Sequence, residues 1–233
     1  MEQSGTSARL TGAVQDLASE VVSALRSGDP FRVVGIGAGR EGTGDLTLAA
    51  VRVLGADALL PSVLLRMPPD PDDLAVFRKA VQAYPPPTGA SPASVWSHWA
   101  MARTLRRLDA SLDGVPGDGA EPGAAWLDSA TWQFLTHQLA VLAPLALPAD
   151  DCAVARVAMG RPVDVARGFV RAVRRRDWLQ AAAAGRWLTL LDGVPRTLGL
   201  ETGLDFVAQM GGDDPRVVLH VQAAQLMRTG APV

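Results

Sequence analysis

The chain has one cysteine, one lysine and one tyrosine, and each scarcity narrows what it can be. A lone Cys152 excludes an internal disulfide, and no Cys/His cluster stands at zinc spacing, which points to a reducing, cytoplasmic setting. Lysine is represented only by Lys79, so the other members of the basic set of 22 are arginines. Together with abundant alanine, glycine and proline, this bias reflects GC-rich bacterial coding, and arginine richness by itself carries no functional weight. There is no excess of positive charge. A formal charge of −2 argues against general nucleic-acid binding, which depends on a clustered basic surface.

Long uninterrupted apolar runs are also missing. The most apolar stretch, Leu46 to Met67, is broken by Arg52, Asp57 and Pro61, so no membrane span is expected. The first residues lack the basic-then-apolar order of a secretory signal and read as an amphipathic helix. The chain's 233 residues suffice to bury roughly 70% of the unfolded surface in a core that needs no covalent staples.

What is present is helical patterning from end to end. Leu10, Val14, Leu17, Val21 and Leu25 recur at spacings of four and three, and Gly28 follows where a C-terminal cap belongs. Ser91-Pro92 and Asp214-Pro215 each place a capping side chain before a proline at the first helical position, and Asp177 can cap a third start. Beyond Ser91, the spacing places Val95, Trp99, Ala102, Leu105, Leu108 and Leu112 on one buried side. From Val163 the pattern predicts four helices, near 163–176, 178–192, 198–210 and 215–228, with connections short enough to force antiparallel neighbours. The expected class is predominantly all-α: stacked helical hairpins, with an α-solenoid-like grammar in the C-terminal half but no repeat consensus. Pro/Gly-rich residues 114–123 suggest an N-terminal region, 1–113, and a C-terminal region, 124–233; one continuous domain with a long loop is the alternative.

The exception to helix is Phe31 to Asp45, a β-branched run entering a glycine-rich segment before an apolar helix. A short strand and an irregular loop are both open there. Strand, glycine loop and helix is an order that cradles phosphates on backbone N–H groups, which makes Gly37, Gly39, Arg40, Gly42 and Thr43 candidate ligand-binding residues. The phosphate-loop Lys-Ser/Thr is missing after Gly42, and no second strand ends in an acid, so the alternative is a turn between helices with Asp45 as a cap.

Arg167, Arg171, Arg174 and Arg175 fall on a polar stripe of one helix, opposite Val165, Phe169, Val170 and Val173; an anionic partner could dock there, although a solvated face is the ordinary fate of such a run. Trp96, three residues before Trp99, is a further candidate for a partner groove. Asp70-Pro71-Asp72-Asp73 looks like a helix start with acids where the dipole favours them, and no metal site is expected. His98, His137 and His220 are far apart, no serine or cysteine stands in a nucleophile context, and His137 and His220 read as partly buried core histidines. The functional expectation is a non-catalytic adaptor or accessory protein without cofactor, binding another protein or peptide. The alternative is a small enzyme or binding module that uses the Gly35–Gly44 loop for a phosphate-bearing ligand.

Overall fold

Every regular element among the described residues is a helix. The computed structural model describes residues 2–29, 43–109 and 119–230, and Cα proximity divides the chain into two units, Met1–Ala120 and Glu121–Val233. The stretch near 31–44 for which a short strand or an irregular glycine-rich loop is expected, with Gly37, Gly39, Arg40 and Gly42, lies outside the described residues up to position 42.

In the first unit, α1 (Glu2–Ser27) buries Val14, Leu17, Val21 and Leu25, as its spacing requires, and ends at Gly28 with φ +71°, a left-handed cap that glycine adopts without steric cost. Next comes α2 (Thr43–Leu54), which runs through a 3₁₀ segment, Gly55–Leu59, into α3 (Leu60–Leu64). Asp57 and Pro61 therefore do not end the helical path: Asp57 sits buried in the 3₁₀ segment, and Pro61 lies in the first turn of α3, where its missing N–H costs nothing. The stretch Gly44–Leu64 is by length and composition able to cross a membrane, and 72% of its most apolar window is buried inside the protein. Helix α4 (Pro71–Ala83) starts on Asp70, whose carboxylate accepts from the Asp72 N–H, so the acidic run is a cap with two acids in the first turn.

Helix α5 (Pro92–Leu108) starts as read, with Ser91 Oγ accepting from the Ser94 N–H. Its buried face is displaced from the expected one. Trp99 and Leu105 are buried as expected, but Ala93, Trp96, Ala100, Met101 and Thr104 join them, while Val95, Ala102 and Leu108 are only partly covered and Leu112 lies outside the described residues. The helix is turned so that both indoles, its largest apolar groups, reach the core, where Trp96 and Trp99 meet edge to face at 5.1 Å. Trp96 is 0% exposed, so it is a core residue and the expectation that it faces a partner is corrected.

The second unit contains α6 (Ala125–Asp128), α7 (Trp132–Val141), α8 (Ala153–Met159), α9 (Pro162–Arg174), α10 (Trp178–Leu188), α11 (Leu200–Gly211) and α12 (Pro215–Thr229). The caps read from sequence are in place: Asp177 accepts from Gln180 N–H and Asp214 from Arg216 N–H. Helix α10 stops at Leu188 rather than near 192, because the chain tightens after Thr189, whose hydroxyl donates to the Arg186 carbonyl. Residues 189–199 then cross to α11 and carry a 3₁₀ turn, Arg196–Leu198.

Helix α10 is the hub of this unit. It packs against α7, α9, α11 and α12, and Ala181 through Leu188 are all buried. In a row of equivalent hairpins each pair meets its sequence neighbours; here four helices surround one. Small residues permit the close approach. A Cβ on Gly185 would stand 2.5 Å from Leu204 Cδ2, and one on Gly168 of α9 would overlap the Thr136 side chain of α7.

Candidate functional site

The exposed side of α9 carries the most distinctive surface in the second unit. Its buried stripe is Val165, Ala166, Gly168, Phe169 and Ala172, and this stripe sets the opposite face outward. Arg167, Arg171, Arg174 and Arg175 point there, as the spacing predicts. Val170 does not lie on the opposite side from them: it is 43% exposed, and Val163, one turn before Arg167, is 46% exposed. The face is therefore cationic and aliphatic at once. With Trp132 at the start of α7 and Pro195, Thr197 and Leu198 from the α10–α11 crossing, these residues line a groove of about 740 Å³. That size lies in the range of pockets that hold small ligands or a few peptide residues.

Two of the arginines are held in place. Arg167 pairs with Asp164 at 3.3 Å, one turn earlier on α9, and the same carboxylate binds Arg161 through Nε at 2.9 Å and Nη2 at 2.6 Å. Arg161 also donates to the Ala130 carbonyl at 2.7 Å, tying the start of α9 to the turn before α7. Arg171 lies over the Trp132 ring, 5.5 Å from its centroid, a cation–π contact across the groove. Arg174 and Arg175, at the end of α9, have no carboxylate partner among the described residues. The acidic member of this neighbourhood, Asp164, is thus shared between two arginines, and none of the lining residues is acidic.

No protein-family model matches the chain, and no curated protein or solved structure shows significant similarity.

The sequence pattern identified the four arginines and missed Trp132, Val163, Val170 and Leu198. A signal existed for two of these. Positions 163, 167, 170 and 174 follow one another at spacings of four, three and four, and 171 stands four after 167, so Val163 and Val170 share the arginine stripe by helical geometry alone. Trp132 and Leu198 come from other elements, and their place is set by tertiary packing.

Of the other candidates, Thr43 begins α2, and its loop companions Gly37, Gly39, Arg40 and Gly42 lie outside the described residues. Among the described residues no group of three or more His, Cys, Asp or Glu side chains could hold a metal. Cys152 is buried at the N-cap of α8. His137 is exposed on α7, with Nδ1 3.4 Å from Gln180 Oε1, which corrects the expectation that it is partly buried; His220 is half-buried near Arg186, as expected.

His98 belongs to the first unit. Burial, and then the charge of Arg52, hold its imidazole below the usual histidine range, and its Nδ1 is buried without a hydrogen-bond partner. The folded state therefore resists protonation more than the unfolded chain does. Stability should be intact above the unfolded value of about 6.5 and decline as pH falls through the lower folded value. An NMR titration should place the His98 midpoint below those of free histidine models, and His98→Gln should flatten the loss of stability between pH 7 and 5. An ordinary midpoint would remove this account.

Proposed function

We propose that the chain is a non-catalytic helical interaction protein, an adaptor or accessory subunit, that receives an acidic segment of another protein in the α9 groove. The observation that carries this reading is the convergence of four arginines and the exposed Val163 and Val170 on one groove with no acidic lining residue. An extended or helical segment bearing carboxylates beside apolar side chains would satisfy both features. The groove's polar side-chain groups are the guanidinium groups, the Thr197 hydroxyl and the Trp132 indole N–H, which supply charge recognition and hydrogen bonds and offer no general base or activated nucleophile.

Affinity capture from the native host, run in parallel with wild type and with Arg171→Glu/Arg174→Glu, tests the reading. The expected result is a partner bound by the wild type and lost from the variant by at least tenfold, with unchanged circular dichroism because both side chains are exposed. The partner's acidic segment, made as a peptide, should compete. Equal capture by both proteins would defeat the groove assignment. A panel of nucleotides and coenzymes provides the counter-test: thermal stabilisation by one of them, abolished by Gly39→Val, would replace the adaptor reading with a ligand-binding one.

A further inference from the structure

We infer that the segment received by the α9 groove is phosphorylated: the groove fits the dianion of a phosphoserine or phosphothreonine flanked by an apolar residue. This rests on the groove being a peptide-docking site and adds the chemistry of its occupant.

The argument is one of charge and donor supply. Four guanidinium groups share one groove, and among the described residues the acid that pairs with one of them, Asp164, is divided between Arg161 and Arg167. Like charges one turn apart on a helix repel, and Arg171, Arg174 and Arg175 stand three, one and four positions apart. Arg174 and Arg175 meet no carboxylate among the described residues, so this repulsion is not offset there. A single carboxylate engages one guanidinium fork and leaves the others uncompensated. A phosphoryl group carries a charge of about −1.5 to −2 at neutral pH and three strong acceptor oxygens, enough for two forks at once.

The rest of the lining distinguishes a peptide from other phosphates. Val163, Ala166, Val170, Pro195 and Leu198 form an apolar floor that a free phosphate ion would leave uncovered, and a groove of about 740 Å³ is far larger than that ion. Single-stranded nucleic acid would want open aromatic faces on which bases stack. The groove has one aromatic ring, Trp132, and Arg171 already lies over it.

Fluorescence anisotropy with three labelled, otherwise identical degenerate peptide libraries tests the inference, the central residue being phosphoserine, serine or glutamate. The phosphoserine library should bind at least tenfold more tightly than the other two, and Arg171→Glu/Arg174→Glu should abolish the difference. If that variant fails to fold, Arg174→Gln/Arg175→Gln removes two charges that hold no internal acid and should weaken binding in the same direction. Lowering pH from 7.5 to 5.5 should weaken the phosphoserine complex about fourfold, because the second phosphate ionisation lies near 6, whereas arginine keeps its charge. Equal binding of the glutamate library would overturn the phosphate requirement while leaving the acidic-segment reading intact. Binding of none of the libraries would overturn both. Displacement of the peptide by inorganic phosphate, or by an oligonucleotide, at equal phosphate concentration would overturn the peptide and assign the groove to that competitor.

Discussion

Replacing Gly168 by alanine should destabilise the second unit by about 2 to 3 kcal/mol, the upper range for overpacking a tight interface. The added Cβ would overlap the side chain of Thr136, and that side chain has nowhere to go. Thr136 is buried, β-branched and tied through its hydroxyl to the Trp132 carbonyl at 2.8 Å, so its rotamer is fixed by both sterics and hydrogen bonding. Helices α7 and α9 would have to separate. Thr136→Ala should restore part of the loss when combined with Gly168→Ala, giving a coupling of opposite sign to the single changes. Chemical denaturation of the four proteins in the cycle measures this, and additive single effects would show that the contact does not limit the approach. The same change reaches the groove, since Trp132 stands on α7 and Arg171 on α9. Gly168→Ala should therefore weaken peptide binding even in molecules that remain folded.

An effect of about 3 to 5 kcal/mol is expected for Trp187→Ala, the range for deleting a large buried aromatic side chain. Trp187 is almost fully buried within the hub helix, and its indole N–H donates to the Leu139 carbonyl at 2.7 Å. That carbonyl belongs to the last turn of α7, where the helical ladder runs out of donors. The indole thus fills volume and also terminates a neighbouring helix. Trp187→Phe separates the two roles: it keeps most of the apolar body and drops the donor, so it should cost about 1 to 3 kcal/mol. Amide exchange should accelerate at the end of α7 in the phenylalanine variant. Unaltered exchange there would assign the whole effect to packing.

The starts of α5, α10 and α12 were legible because capping is local: Ser91, Asp177 and Asp214 each act within two or three residues of themselves. The all-α class followed from periodicity for the same reason. Rotational setting was less accessible. On α5 the spacing favoured Val95 and Ala102, yet the helix turned to bury Trp96, because the choice among nearly equivalent faces depends on the pocket a neighbour offers. On α9 the spacing grouped Val170 with the core, whereas the α10–α11 crossing leaves it half open beside the arginines. Hub packing around α10 was out of reach, since Ala181–Ala184 and Gly185 announce a tight contact without naming the helices that make it. The candidate site was half visible: its charge was written on one helix, while Trp132 and Leu198 arrive from elsewhere in the fold.

Lys79 lies exposed on α4 in the first unit, and no other lysine exists in the chain. Apart from the terminal amine, an amine-directed dye has one address, and the groove offers it none. The protein can thus be tagged or tethered through Lys79 while every cation lining the α9 groove stays chemically untouched. For the same reason, lysine acetylation finds no target among the residues that line this groove.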